Sequence, residues 1–390
     1  MPTIHNKYHT CTSPCDCRCP KPRTIPLSLS LSLSVSCNTH PTKNSPCPQI
    51  QSLQEKVQQT QKAKFDQSLG TAVRTAGVHL APLRAPPTTK LRRTLKGHFG
   101  KVTATHWGGD SRLLVSAGQD GNLLVWNTVS SNKLNAIQLK SSYVMSVGME
   151  QTKGDLVACG GLDNLCTVYP WRNPERATEL VFHDGFISCC RFLNTEQILT
   201  SSGDSNIILW DIASGRNIVN FTEHTADALH MSLKPGDKST FVSSSVDGTA
   251  KVWDVRKPGG AVMTYTGHTG DVNCVEFMPS DGHAFGTCGQ DGTVRVFDMR
   301  ACSQVAAFGG VNSENEMDGF TKLSFSGSGR LVFVGHTDGN VYAYDVLADR
   351  AAPAFALLGA HDKPVSSIGV SPRGNALCTA SWDGYVKIWA

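Results

Sequence analysis

Five times in this 390-residue chain a histidine, a hydroxyl residue and an aspartate recur in the same order and at nearly the same spacing. The sets are His98, Ser116 and Asp120; His183, Thr200 and Asp204; His224, Ser243 and Asp247; His268, Thr287 and Asp291; and His361, Thr379 and Asp383. These are the residue types of acyl-transfer catalysis, where an imidazole oriented by a carboxylate takes a proton from a nucleophilic hydroxyl. Repetition argues against that chemistry. A triad needs one nucleophile beside an oxyanion hole, whereas five equivalent copies suit buried polar groups that satisfy one another. There is neither a Gly-x-Ser-x-Gly elbow nor a phosphate loop ending in Gly-Lys-Ser/Thr, so no catalytic residue and no enzyme activity are expected.

The elements that must position these sets follow from a wider pattern. An aromatic stands six residues after each aspartate, at Trp126, Trp210, Trp253, Phe297 and Trp389. Two further pairs without a histidine, Asp163 with Tyr169 and Asp338 with Tyr344, keep the same interval. The seven aspartates are 43, 41, 43, 44, 47 and 45 residues apart, the period of a four-stranded propeller blade. Each aspartate belongs in the turn before a blade's third strand, with the aromatic near that strand's end. A following glycine, as at Gly121 and Gly248, suits a tight turn.

The fold expected is therefore all-β, a seven-bladed β-propeller over residues 91–390 preceded by a short N-terminal α-helix. Leu91–Leu95 should close the ring as the outer strand of the blade that ends at Trp389, since closure removes exposed strand edges. The two blades without histidine are expected to be less constrained, and Gly309–Gly319 reads as a polar loop insertion.

Upstream the material changes. Residues 1–48 are rich in Pro, Ser, Thr and Cys and include a Leu-Ser alternation from Leu27 to Ser34, which cannot build a core. They are expected to be a disordered low-complexity leader, of a kind that also arises when untranslated sequence enters a gene model. The alternating serines weaken a secretory-signal reading. His5, His9, Cys11, Cys15, Cys17 and Cys19 lack paired Cys-x-x-Cys spacing, so no metal is expected. From residue 49 to 66 the composition favours helix, with Ile50, Leu53 and Val57 on one stripe of about two turns, a short coiled-coil seam. Residues 67–90 read as an extended connector.

The formal net charge of +4 conceals a basic N-terminal quarter and an acidic remainder. An acidic propeller argues against nucleic-acid binding and for a protein-binding surface. The eight cysteines within the repeats sit mostly in apolar strand contexts, as free thiols of a reduced, cytoplasmic setting do.

Pairs such as Trp210-Asp211 and Trp253-Asp254, with Gly97-His98 and Gly267-His268, resemble the WD-repeat family. In that family His, Ser/Thr, Asp and Trp form a buried hydrogen-bond network. The words Arg92–His98, Arg112–Ser116, Gly160–Asn164, Cys189–Phe192, Ser201–Asp204 and Ser381–Asp383 look more specifically like the β subunit of heterotrimeric G proteins. The resemblance implies a non-enzymatic transducer without cofactor. It would bind a γ subunit obligately, bind a GDP-bound α subunit, and engage effectors after release in receptor signalling.

It also implies sites. The α-subunit and effector interface would comprise Lys101, Leu124, Lys133, Tyr143, Met145, Leu162, Asn164, Asp227, Asp271 and Trp382. The γ subunit would contact the helix through Ile50, Leu53 and Val57. With Lys387-Ile388-Trp389-Ala390 offering no prenylation cysteine, attachment to the inner face of the plasma membrane would come through lipidated partners. Thr103 and Asn122 stand where common members have Tyr and Lys, and Tyr143 where they have Trp, which points to altered partner choice. The competing class is a general WD-repeat scaffold for a kinase, ribosome or ubiquitin-ligase complex.

Overall fold

The structure, a computed structural model, describes residues 89–309, 319–348 and 351–390. The expected leader, the helix expected to carry Ile50, Leu53 and Val57, most of the expected connector and residues 310–318 of the expected insertion lie outside the described residues.

Short alternating strands and turn residues fold, as expected, into seven antiparallel four-stranded sheets. Blade 1 comprises Val102–Trp107, Leu113–Gly118, Asn122–Asn127 and Asn132–Gln138, from the innermost strand to the outermost. Blades 2 to 6 repeat that order and begin at Val144, Ile187, Ala228, Cys274 and Phe320. Blade 7 takes Val365–Val370, Leu377–Ser381 and Tyr385–Trp389, and borrows Leu91–Lys96 as its outer strand. That strand pairs Leu95 with Val386, and Lys90 and Ala390 exchange two backbone hydrogen bonds of 3.1 Å. The two ends of the domain thus hold each other, and the ring closes as the sequence predicted.

The apolar residues meet between blades. One cluster joins blades 7 and 1 through Leu95, Val102, Trp107, Leu114, Leu124, Trp126 and Ile388, and another joins blades 3 and 4 through Leu209, Phe221, Phe241 and Trp253. Each blade buries both faces against its neighbours, so the domain is stiff as a ring.

The turn after each aspartate shows how tightly the repeat is specified. The residue that follows is left-handed in all seven blades: Gly121, Gly248, Gly292, Gly339 and Gly384, but also Asn164 at φ 61° and Ser205 at φ 67°. Glycine adopts this conformation freely and an L side chain does so at a cost.

Seven of the eight cysteines among the described residues are buried, and all eight are free thiols. Among those residues no helix is long and apolar enough to cross a membrane.

Candidate functional site

The histidine sets are structural. His98 Nδ1 lies 3.0 Å from Asp120, His98 Nε2 lies 2.7 Å from Ser116 Oγ, and the Trp126 indole N–H donates to the same Oγ at 2.8 Å. One chain of donation satisfies every atom: Trp126 N–H to Ser116 Oγ, Ser116 O–H to His98 Nε2, His98 Nδ1–H to Asp120. The same chain runs through His183, Thr200, Asp204 and Trp210, through His224, Ser243, Asp247 and Trp253, and through His361, Thr379, Asp383 and Trp389. Blade 5 keeps His268, Thr287 and Asp291, with Phe297 donating nothing. Ser116, Thr200, Ser243 and Thr379 are fully buried, so no substrate carbonyl reaches a hydroxyl.

Electrostatics agree with that role. Burial holds His98, His183 and His361 below the usual histidine value despite their aspartates, which keeps each imidazole neutral, as the chain requires. Burial works to raise Asp120 and Asp204, but their histidines and backbone N–H groups outweigh it and keep both lowered. Phe99 N–H bonds Asp120 and Asp184 N–H bonds Asp204, so each network also pins the loop that enters the next inner strand.

The two blades without histidine solve the turn differently. In blade 6 Asp338 accepts from Tyr342 O–H at 2.6 Å and Asn340 N–H at 2.7 Å, with His336 at 3.1 Å. In blade 2 Cys159 and Tyr169 occupy the hydroxyl and aromatic positions as buried apolar groups. Blade 6 is therefore held from within its own hairpin, while in blade 2 Asp163 keeps only a long contact from Leu165 N–H at 3.4 Å.

Those pinned loops build one end of the propeller. At that end a residue at the entry to each innermost strand offers its carbonyl to an N–H just beyond the second strand. Lys101 pairs thus with Gln119, Tyr143 with Leu162, Asp227 with Val246, Asp271 with Gln290, and Pro364 with Trp382, at 2.8–3.2 Å. Lys101, Tyr143, Leu162, Asp227, Asp271 and Trp382 are thereby placed on two concentric rings around one mouth of the axis. Met145 is exposed one step inside, and Asn164 bonds Asp184 O at 3.0 Å on the same end. Tyr143 (58% exposed), Leu162 (55%) and Trp382 (42%) turn apolar surface outward, which is uncommon unless a partner covers it.

Two of the ten expected residues stand apart. Leu124 is 1% exposed and lies in the cluster between blades 7 and 1. Its place in a third strand turns it toward the neighbouring blade, where a side chain on Gly97 would contact it, so its assignment to the surface is corrected. Lys133 is exposed on the outer strand of blade 1, away from the mouth, with its charge felt at His98.

Sequence reasoning also missed residues on this end. Phe186 is the blade 3 equivalent of Lys101, its carbonyl bonded by Gly203 N–H at 2.9 Å. A plain signal existed, since Lys101, Phe186, Asp227, Asp271 and Pro364 each follow a network histidine by three residues. Phe99 (94% exposed), Phe182 (54%) and Leu358 (76%) extend the apolar rim.

Among the described residues no group of three His, Cys, Asp or Glu side chains is arranged to hold a metal ion. What the end offers is a mixed apolar and charged surface on hydrogen-bonded loops, suited to a protein partner.

Comparison with known proteins fits this geometry. The profile of the family described as G protein beta WD-40 repeat protein matches residues 48–390. A relative described as guanine nucleotide-binding protein G(I)/G(S)/G(T) subunit beta-1, from Homarus americanus, is 48% identical over 304 residues, covering 77% of this chain and 86% of its own. The chain belongs to the G protein β WD-40 repeat family.

Proposed function

We propose that this protein is the β subunit of a heterotrimeric guanine nucleotide-binding protein, a non-enzymatic partner of a γ and an α subunit. The observation that carries the reading is the 48% identity to a G protein β-1 subunit across most of both chains. The rigid face around Lys101, Tyr143, Leu162, Asp227, Asp271 and Trp382 supports it, because such a face recognises a folded partner without paying to order its own loops. On this reading the GDP-bound α subunit covers that end, and effectors use the same residues once it leaves. The γ subunit lies along the segment containing Ile50, Leu53 and Val57, and lipidated partners hold the assembly at the inner face of the plasma membrane.

Affinity capture of the tagged full-length chain from its own cells, with mass spectrometry of what is retained, tests the proposal. A small prenylated chain should co-purify, together with an α subunit that departs on addition of a non-hydrolysable GTP analogue. Retention of a ribosome, kinase or ubiquitin ligase instead would reassign the protein to the general scaffolds.

A further inference from the structure

The innermost strands of all seven blades wall an axial cavity of about 250 Å³, and Cys274 stands in that wall with Arg191, His230, Glu276 and Lys322. Among the described residues no other cysteine lines it. His230 Nδ1 lies 3.4 Å from Cys274 Sγ and 3.0 Å from Val275 O, while His230 Nε2 meets Arg191 Nη2 at 3.1 Å. A guanidinium only donates, so Nε2 accepts and the ring proton on Nδ1 faces the sulfur.

Behind Cys274 stands a second thiol. Cys288 is its direct partner in register between the first two strands of blade 5, and both lie in the apolar cluster between blades 5 and 6. Opposed residues of an antiparallel pair have Cα atoms about 4.5–5.5 Å apart, inside the roughly 4.4–6.8 Å that a disulfide spans. Both are free thiols in this structure.

The two thiols are unequal. Burial opposes charge on Cys274, but the hydrogen bond from Cys288, with His230 and Lys322, outweighs it and holds Cys274 well below the usual thiol value. Burial and that same bond push Cys288 well above it. One sulfur is a thiolate and the other keeps its proton, the division between an attacking and a resolving cysteine. Cys189 is also held down, to about 5, by Arg191 and His230 against its burial. It does not line the cavity, however, and the residue opposite it is Ser201.

We infer that Cys274 and Cys288 form a dithiol that small hydroperoxides oxidise, through the axial cavity, to a cross-strand disulfide. The Cys274 sulfur attacks one peroxide oxygen, so that an S–O bond forms as the O–O bond breaks, and the departing alkoxide or hydroxide takes up a proton. Glu276 stands in the same wall to supply it, since burial and the Cys274 charge push that acid up to about 8. The proton that Cys274 released on ionising restores Glu276. The Cys288 sulfur then attacks the sulfenic sulfur, the S–S bond forms, and hydroxide leaves with the Cys288 proton as water. In all, two thiols lose two electrons and two protons, and one hydroperoxide becomes an alcohol and a water. At roughly 30 Å³ per water the cavity has room for hydrogen peroxide or a short alkyl hydroperoxide and none for a folded oxidant.

The test exposes the reduced full-length chain, with its co-purified partners, to hydrogen peroxide or tert-butyl hydroperoxide. Alkylation under denaturing conditions and mass spectrometry then follow each cysteine over time. Exposed Cys302 is the internal rival, because access alone would oxidise it first. Cys274 and Cys288 should instead be lost together and ahead of Cys302, recovered as one disulfide-linked pair of peptides that a reductant reopens. Lys322→Met removes a cation from the wall and should slow the loss of Cys274 by about threefold or more. Cys288→Ser should leave Cys274 as a sulfenic acid that dimedone traps. The map of the parent chain decides the inference even where a variant fails to fold. It is overturned if Cys302 is lost before Cys274, if Cys274 is oxidised without Cys288, or if folded Lys322→Met reacts as fast as the parent.

Discussion

The ammonium of Lys101 lies 4.2 Å over the ring of Trp382, joining the first blade to the last at the exposed mouth of the propeller. The contact fixes the indole while leaving it 42% exposed, and it draws part of its strength from the cation over the ring face. A pre-oriented aromatic beside a charge is the usual composition of an interface hot spot.

Trp382→Ala should therefore weaken α-subunit binding by more than about 1 kcal/mol. The Trp382 backbone bond to Pro364 O at 3.2 Å survives the change, so the blade should stay folded. Calorimetric titration with a GDP-bound α subunit measures the loss, and an unchanged affinity would remove this end of the propeller from the interface.

Leu124→Ala should behave oppositely. Truncating a fully buried leucine between two blades costs about 2–5 kcal/mol of stability. Binding by the protein that remains folded should change little. A stable variant that fails to bind the α subunit would restore Leu124 to the interface.

The networks differ in what a missing hydroxyl strands. Ser243→Ala leaves both His224 Nε2 and the Trp253 indole N–H without their partner, at about 1–3 kcal/mol for each buried group. Thr287→Val in blade 5 strands only His268. Urea unfolding should show the larger loss for Ser243→Ala, and equal losses would mean that the tryptophan bond contributes nothing.

Acid should weaken the histidine networks before it protonates Asp120 or Asp204. For His98, His183 and His361 the folded value lies below the ordinary 6.5, so the unfolded chain takes up protons first. Their contribution is complete above about pH 6.5 and declines as pH falls through it. The lowered Asp120 and Asp204 contribute stability that is lost only below about pH 4. A side-chain NMR titration should find the three imidazoles still neutral at about pH 6.5, whereas imidazoles already half charged there would contradict the account.

Ser205 carries the turn strain that glycine avoids in five of the other blades. Ser205→Gly should stabilise the protein by about 1 kcal/mol, read as a higher urea midpoint. A drop would show that the Ser205 side chain holds the turn.

The architecture was legible because the repeat states itself: Asp, a six-residue interval and an aromatic, seven times, with histidine upstream of five. Ring closure through Leu91–Leu95 followed from the need to cover an edge. Side-chain direction was harder to see. Leu124 and Leu162 are both leucines beside a blade turn, yet one lies within a third strand against the neighbouring blade and the other caps a second strand in solvent. Phe186 escaped because a lone phenylalanine after a glycine reads as core until its register beside Lys101 is known. Arg191 and Lys322, 131 residues apart in the chain, line one axial cavity, which no linear pattern shows.

The central claim is that this chain, as a β subunit, holds an α subunit in a nucleotide-dependent way. Its most direct test is the affinity of the purified full-length chain, with its γ partner, for one α subunit loaded first with GDP and then with a non-hydrolysable GTP analogue. Tight binding to the GDP form, weakened at least tenfold by the analogue, is the predicted result. Equal affinity for both forms, or binding to neither, would contradict the account.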